Sequence, residues 1–342
     1  MTRNRPLTIL ALATALLLVV SVAQRVLHRR AVTSPATATV VSADFDPDGI
    51  NRVTVGAGAD TATVVIERLG GGWVTRTAWD HPADPRKIQE LLVALDSLQG
   101  DFRSDEAAIL DDYGLGPRSA PVEVTLFGKD WQPVCALLLG KRADDGAGVF
   151  VRAPGSNAVY LARTEVRGKL GLWSPDSKPE SRHFLDLSVF KTDAAGIRRI
   201  SLHQGDKTLV MEKILTAAGP GDGSAPPPQD WEWTLTAPSR RALAKTKVDG
   251  VMNALAAVQA ADVADPGVGM DRYGLWKAER RVEVTLADGS TFELRVGDAR
   301  PATGGAQEGR YCMTSLDRKI WVIRDFKIEQ IFKKLEDLLP DA

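Results

Sequence analysis

The feature that most constrains this chain is that it repeats itself. Tyr113-Gly114-Leu115 returns as Tyr273-Gly274-Leu275, so position 113 maps to 273 at an offset of 160. The same offset carries Val122-Glu123-Val124-Thr125-Leu126 onto an identical pentapeptide, Val282-Glu283-Val284-Thr285-Leu286. It also carries Trp73-Val74-Thr75 onto Trp233-Thr234-Leu235. Several matches in one register indicate a duplication, so a fold adopted by the first copy must also suit the second. Earlier elements match at a shorter offset, Gly49 to Val55 with Gly196 to Leu202 and Val64 to Arg68 with Leu209 to Lys213. The offset grows because the second copy carries an insertion, AAGPGDGSAPPPQ at 217–229, whose Pro and Gly content marks an exposed loop. The copies are placed at 48–180 and 181–342, and a length of 342 residues suits two domains of moderate size.

Periodicity predicts the contents of each copy. Alternation at Val53 to Val55, Thr63 to Glu67 and Trp73 to Thr77 predicts three strands in a meander. A helix over Asp84 to Leu98 follows, with Ile88, Leu91, Leu92, Leu95 and Leu98 at spacings of three and four. Asp84 before Pro85 has the form of an N-cap with Pro at the first helical position. Beyond the Tyr-Gly-Leu segment, strands are predicted at Val122 to Phe127, Val134 to Leu139, Val149 to Arg152 and Ala158 to Ala162. Their second-copy counterparts are Val282 to Leu286, Phe292 to Val296, Tyr311 to Met313 and Ile320 to Ile323. A closing helix from Phe326 carries one apolar stripe, Ile328, Ile331, Phe332, Leu335, Leu338 and Leu339. The stripe reads as the lid of the second copy's core, or alternatively as a partner-docking face. The expected class is α+β: two tandem repeats of a mostly antiparallel sheet with one or two covering helices, after an N-terminal transmembrane helix.

That N-terminal segment lies in residues 1–30. Leu7 to Ala23 carries no charge and has about the minimum length for a membrane-spanning helix. Arg3 and Arg5 precede it and Arg25, Arg29 and Arg30 follow. A signal peptide cut after Ser21-Val22-Ala23 is the competing reading, but Arg25 just beyond such a site disfavours cleavage. The flanking charges nearly balance, so orientation rests on the short N-terminal tail ahead of a large domain, which favours export. The expected location is the cytoplasmic (inner) membrane, single-pass, with the soluble part periplasmic or extracytoplasmic. Residues 31–47, rich in Thr, Ala and Ser, form a tether.

Chemistry is harder to find. Lys and Arg total 43 against 44 Asp and Glu, without the basic excess that nucleic-acid binding needs. His28, His81, His183 and His203 have no partner at metal-ligand spacing. The GxSxG, GxxxxGK[ST] and GxGxxG motifs are absent. Asp44-Phe45-Asp46-Pro47-Asp48-Gly49 imitates a calcium loop, yet its twelfth position is Val55 rather than an acid, so a polar turn is the better reading. Cys135 and Cys312 lie in predicted strands, and their pairing is left open. Trp73 and Trp233, at equivalent strand starts, read as packing rather than a ligand platform. In Tyr113-Gly114-Leu115 the glycine is expected to end a helical turn at positive φ, with the leucine tucked under the sheet. No catalytic, cofactor-binding or metal-ligating residue and no cofactor are assigned.

Taken together, the anchor, the Gly-Ile strand opening, Trp73 with Ala83-Asp84 and the Leu-rich helix, Tyr113-Gly114-Leu115, Leu137 to Gly140 and Val159-Tyr160 resemble the bacterial family catalogued as domain of unknown function 4340. Trp233, Tyr273-Gly274-Leu275, Leu294 to Gly297 and Ile320-Trp321 continue the resemblance, which runs from about Asp48 to Leu338. It implies a membrane-tethered protein outside the cytoplasmic membrane, often encoded beside ABC-transporter subunits, and it brings no catalytic residues. Leu243-Ala244 stands where the first copy has Ala83-Asp84, a sign of divergence between copies. The leading expectation is a non-enzymatic accessory or scaffold component of a transport complex, with the membrane and ABC-transporter subunits as partners. The alternatives are a ligand-binding module using a cleft between the copies, and a hydrolase that gathers His81, His183 or His203 with Ser and Asp.

Overall fold

The computed structural model describes residues 37–39, 45–56, 62–144, 146, 148–215, 231–302 and 306–341. The anchor at 7–23 and the insertion at 217–229 lie outside the described residues. Among those described, no helix is long and apolar enough to cross a membrane.

The chain begins with β1 (Thr37–Thr39), β2 (Arg52–Gly56), β3 (Ala62–Leu69), β4 (Gly72–Thr75) and β5 (His81–Pro82). Helix α1 (Pro85–Asp96) leads to β6 (Gln99–Ser104), β7 (Val122–Phe127), β8 (Pro133–Arg142), β9 (Val149–Arg152), β10 (Val159–Ala162) and α2 (Val166–Lys169). Next come α3 (Ser181–Phe184), β11 (Ser188–Lys191), β12 (Ile197–Gln204), β13 (Lys207–Leu215), β14 (Trp231–Ala237), β15 (Arg241–Ala242) and α4 (Lys245–Ala256). The remainder is β16 (Ala257–Gln259), β17 (Asp262–Ala264), β18 (Arg280–Leu286), β19 (Thr291–Arg300), β20 (Gly309–Thr314), β21 (Ile320–Ile323), α5 (Asp325–Ile331) and α6 (Leu335–Leu338).

Two large sheets with few helices make the class α+β. One has ten strands in the order β1-β6-β10-β9-β8-β7-β2-β3-β4-β5, and the other nine in the order β15-β14-β13-β12-β18-β19-β20-β21-β17. β11 and β16 form a separate antiparallel pair, joining Lys191 to Ala257. The chain divides into two compact units, residues up to 65 with 86–179, and residues 66–85 with 180–342.

In the first unit, β2 buries Val53 and Val55 completely, and β7 buries Val124 and Leu126. Residues two apart share a face of the sheet, which is why these alternating positions form one apolar layer. The predicted stripe on α1 behaves as expected: Ile88, Leu91, Leu92, Leu95 and the following Leu98 are all fully buried. Burial of each such side chain is worth about 1.5–3 kcal/mol. β1 pairs antiparallel with β6, from Thr37 opposite Asp101 to Thr39 opposite Gln99. In the second unit, Ile200, Leu202, Val282, Val284, Leu294 and Trp321 join one core with Val248, Val251 and Leu255 of α4.

Two sequence expectations need correction. The strand predicted at Trp73 to Thr77 stops at Thr75, and a 3₁₀ turn follows over Arg76–Ala78. Asp80 N donates to Thr75 O at 3.1 Å, Arg76 holds the Asp80 carboxylate at 2.7 Å, and Trp79 and Asp80 take φ of 54° and 59°. The single closing helix is two, α5 and α6. Phe332 leaves helical geometry at ψ 71°, and α6 then starts where Lys334 N donates to the Asp337 carboxylate at 3.2 Å and Asp337 N donates to Lys334 O at 3.1 Å. The stripe still faces inward: Ile328, Ile331, Phe332 and Leu338 all belong to the second unit's core.

Candidate functional site

The residues that sequence reading singled out fall into separate surroundings. Asp46 accepts from Asp48 N at 3.0 Å and caps the 3₁₀ turn Pro47–Gly49, while Asp44 lies outside the described residues. Asp193 caps the 3₁₀ turn Ala194–Gly196 in the same way, accepting from Ala195 N at 3.0 Å. No group of three or more His, Cys, Asp or Glu that could hold a metal occurs among the described residues. Cys135 and Cys312 are both buried and free. Burial pushes the Cys135 thiol up to about 11 and raises that of Cys312 as well, so neither is an activated nucleophile near neutral pH. Trp233 sits in the second unit's core, whereas the half-buried Trp73 lies under the Arg68 guanidinium, 4.6 Å from its ring centre.

His203 Nδ1 is 3.0 Å from Thr208 Oγ1, and the His183 ring meets Phe184 edge-on at 4.8 Å. His81 is completely buried in the second unit, with Nδ1 2.7 Å from Ala78 O and its ring edge-on to Trp321 at 5.2 Å. Among the described residues, His81 Nε2 and Trp321 Nε1 have no hydrogen-bond partner. Burial, which outweighs the Ala78 carbonyl, holds the His81 pKa below its usual 6.5, with Lys319 pushing the same way and Asp317 opposing. The folded protein therefore keeps the neutral ring, while the unfolded chain takes up a proton at the ordinary value. Stability from this group is complete above about pH 6.5 and is lost as pH falls below it toward the lowered native value. Urea unfolding at about pH 7.5 and about pH 5.5 should show a smaller acid-induced loss for His81→Phe than for the wild type. An identical loss in both proteins would contradict this.

The concave feature of the first unit was not visible as a motif. It gathers around the Tyr113-Gly114-Leu115 turn. Gly114 takes φ 68° and donates its N–H to Asp111 O at 3.0 Å, while Leu115 N reaches Leu110 O at 2.9 Å and its side chain is fully buried. A Cβ at Gly140 would collide with the Tyr113 carbonyl oxygen, so only glycine lets β8 pass this close. Beside that crossing lies a pocket of about 750 Å³, walled by Pro121, Val122 and Leu139 and by the segment Pro175 to Pro179. Lys141, Arg142, Arg167 and Lys178 line it, and Asp176 is its one lining carboxylate among the described residues.

Arg167 is placed there by α2. Glu165 caps that short helix, accepting from Gly168 N at 2.9 Å. Arg167 is only 6% exposed, and it donates Nη1 to Gly140 O at 3.0 Å and Nη2 to Ser174 O at 3.1 Å. Burial, reinforced by Arg142 and opposed by Glu165, lowers its pKa from the usual arginine value. Glu165 itself pairs with Arg142 at 2.7 Å, a contact exposed on both sides.

The second unit carries the same turn. Gly274 has φ 68°, its N–H reaches Asp271 O at 3.2 Å, Leu275 N reaches Met270 O at 2.8 Å, and Leu275 is fully buried. A Cβ at Gly297 would strike the Tyr273 carbonyl. A pocket of about 540 Å³ lies beside it, with Asp271, Glu279 and Asp298 balancing Lys277, Arg280 and Arg310. Arg310 Nη1 approaches Gly297 O at 3.4 Å while its Nε pairs with Asp325 at 2.9 Å.

Comparison with known proteins adds one match. The family model described as a domain of unknown function (DUF4340) matches residues 73–269, more than half of the chain, in a single span. The chain belongs to that family. No curated protein and no solved structure matches it.

Proposed function

We propose that this member of the domain of unknown function 4340 family is a membrane-anchored, extracytoplasmic accessory or scaffold protein made of two diverged copies of one unit. It works by binding rather than catalysis, in association with an ABC-type transport complex. The observation that carries the two-copy reading is the common strand order. β6-β10-β9-β8-β7-β2-β3-β4-β5 in one sheet corresponds position by position to β17-β21-β20-β19-β18-β12-β13-β14-β15 in the other. The backbone before the covering helix repeats as well: Ala83 N bonds Trp73 O at 2.8 Å, and Leu243 N bonds Trp233 O at 3.2 Å. Asp84 N then bonds Phe184 O at 2.7 Å, and Ala244 N bonds Leu338 O at 2.9 Å. The uncharged Leu7 to Ala23 segment supports the anchor. A tether of this kind raises the effective concentration of each unit toward a partner in the same membrane. The experiment is protease treatment of intact spheroplasts expressing the chain with a C-terminal tag. Digestion of the tag from outside, with the protein resisting alkaline extraction from membranes, is the expected result. A protected tag, or release by alkali, would contradict it.

A further inference from the structure

A cation taken out of water costs free energy unless an anion or a dense set of dipoles replaces its hydration. Arg167 is buried, and its two hydrogen bonds go to neutral carbonyls, Gly140 O at 3.0 Å and Ser174 O at 3.1 Å. These use two of the five guanidinium N–H donors, and Arg167 has no ion pair among the described residues. The nearest acid along the chain, Glu165, is committed to Gly168 N and to Arg142. Lys141 and Lys178 line the same pocket without an ion pair among the described residues, and Asp176 is the one lining carboxylate there against four lining cations.

The second unit shows that the fold does not require this charge. There the matching carbonyl, Gly297 O, is met by an arginine whose charge is neutralised by Asp325. Five residues past β10 stands Arg167, whereas five residues past β21 stands Ile328, buried in the core. The first unit thus holds an excess of positive charge where its counterpart is balanced. We infer that the first unit's pocket binds a small oxyanion, a carboxylate or a phosphate, that carries a short apolar body. Arg167, with Lys141 and Lys178, receives the anionic group, because a guanidinium fork matches the geometry of such oxygens. Pro121, Val122 and Leu139 receive the apolar part. A volume of about 750 Å³ lies within the range typical of small-molecule sites.

This inference does not depend on membrane tethering or on a transporter partner, so its failure would leave that reading intact. It is tested by calorimetric titration of the full chain in detergent with hexyl phosphate and with inorganic phosphate, at low salt, against detergent alone. Saturable binding of hexyl phosphate is expected, with inorganic phosphate at least several-fold weaker. Arg167→Met should weaken hexyl phosphate binding by about tenfold or more. Should that variant fail to fold, the double variant Lys141→Gln with Lys178→Gln, altered only at exposed positions, should still weaken it several-fold. Arg310→Met should bind as the wild type does. Absence of saturable hexyl phosphate binding by the wild type would overturn the site, as would unchanged affinity in the double-lysine variant. Equal affinity for the two probes would overturn the apolar half of the assignment.

Discussion

Gly140→Ala and Gly297→Ala are each expected to destabilise the protein by about 3 kcal/mol, the upper end of ordinary overpacking costs. In both units a tyrosine carbonyl, from Tyr113 or Tyr273, occupies the space a Cβ would need. Leu115 and Leu275 crowd the same points from the core side. A flexible side chain could swing away, but here the obstacle is backbone, fixed by the hydrogen bonds of the Tyr-Gly-Leu turn and by the fully buried leucine that follows. Relief therefore requires moving the turn off the sheet. Gly250, inside α4, provides the contrast: a Cβ there meets nothing within 4 Å, so Gly250→Ala should stabilise by about 0.5–1 kcal/mol through helix propensity. Urea unfolding followed by circular dichroism compares the three variants. Losses of similar size at 140 and 297, opposite in sign to the effect at 250, are expected. A Gly140 or Gly297 variant as stable as the wild type would show that the close approach does not constrain the fold.

Much of the architecture was legible because it rests on periodicity. The α1 stripe from Ile88 to Leu98 and the alternation in Val122 to Phe127 report burial directly, and both elements form where their patterns place them. The Tyr-Gly-Leu turns were legible for a different reason: glycine before a buried leucine is how a helical turn ends at positive φ. Short strands set by pairing rather than by pattern escaped notice. β6, with polar Gln99, Asp101 and Ser104, and β11, which pairs with β16, have no clean alternation. The closing helix was misread because Ile328 to Leu339 keeps a helical spacing across a break that backbone capping at Lys334 and Asp337 imposes. The pocket was the least legible feature. Its cations come from β8, α2 and the segment before Pro179, and nothing in their sequence spacing brings Lys141, Arg167 and Lys178 together. The one signal available was that Arg167 has an apolar counterpart, Ile328, and it becomes readable only once the strands of the two sheets are aligned.

The second large effect concerns partners, and here the expected difference is all or none. As a scaffold tethered by residues 7–23, the role proposed above, the protein would act through what it holds. Its partner should therefore survive chemical cross-linking in native membranes. Replacing residues 1–30 with a cleavable secretion signal should abolish recovery, because the loss of tethering removes the high effective concentration that sustains weak contacts. The decisive measurement is cross-linking of the full-length chain in native membranes, followed by solubilisation in mild detergent, pull-down and mass spectrometry. Recovery of ABC-type transporter subunits with the anchored protein, and not with the released one, is the expected result. Recovery of the anchored protein alone would contradict it.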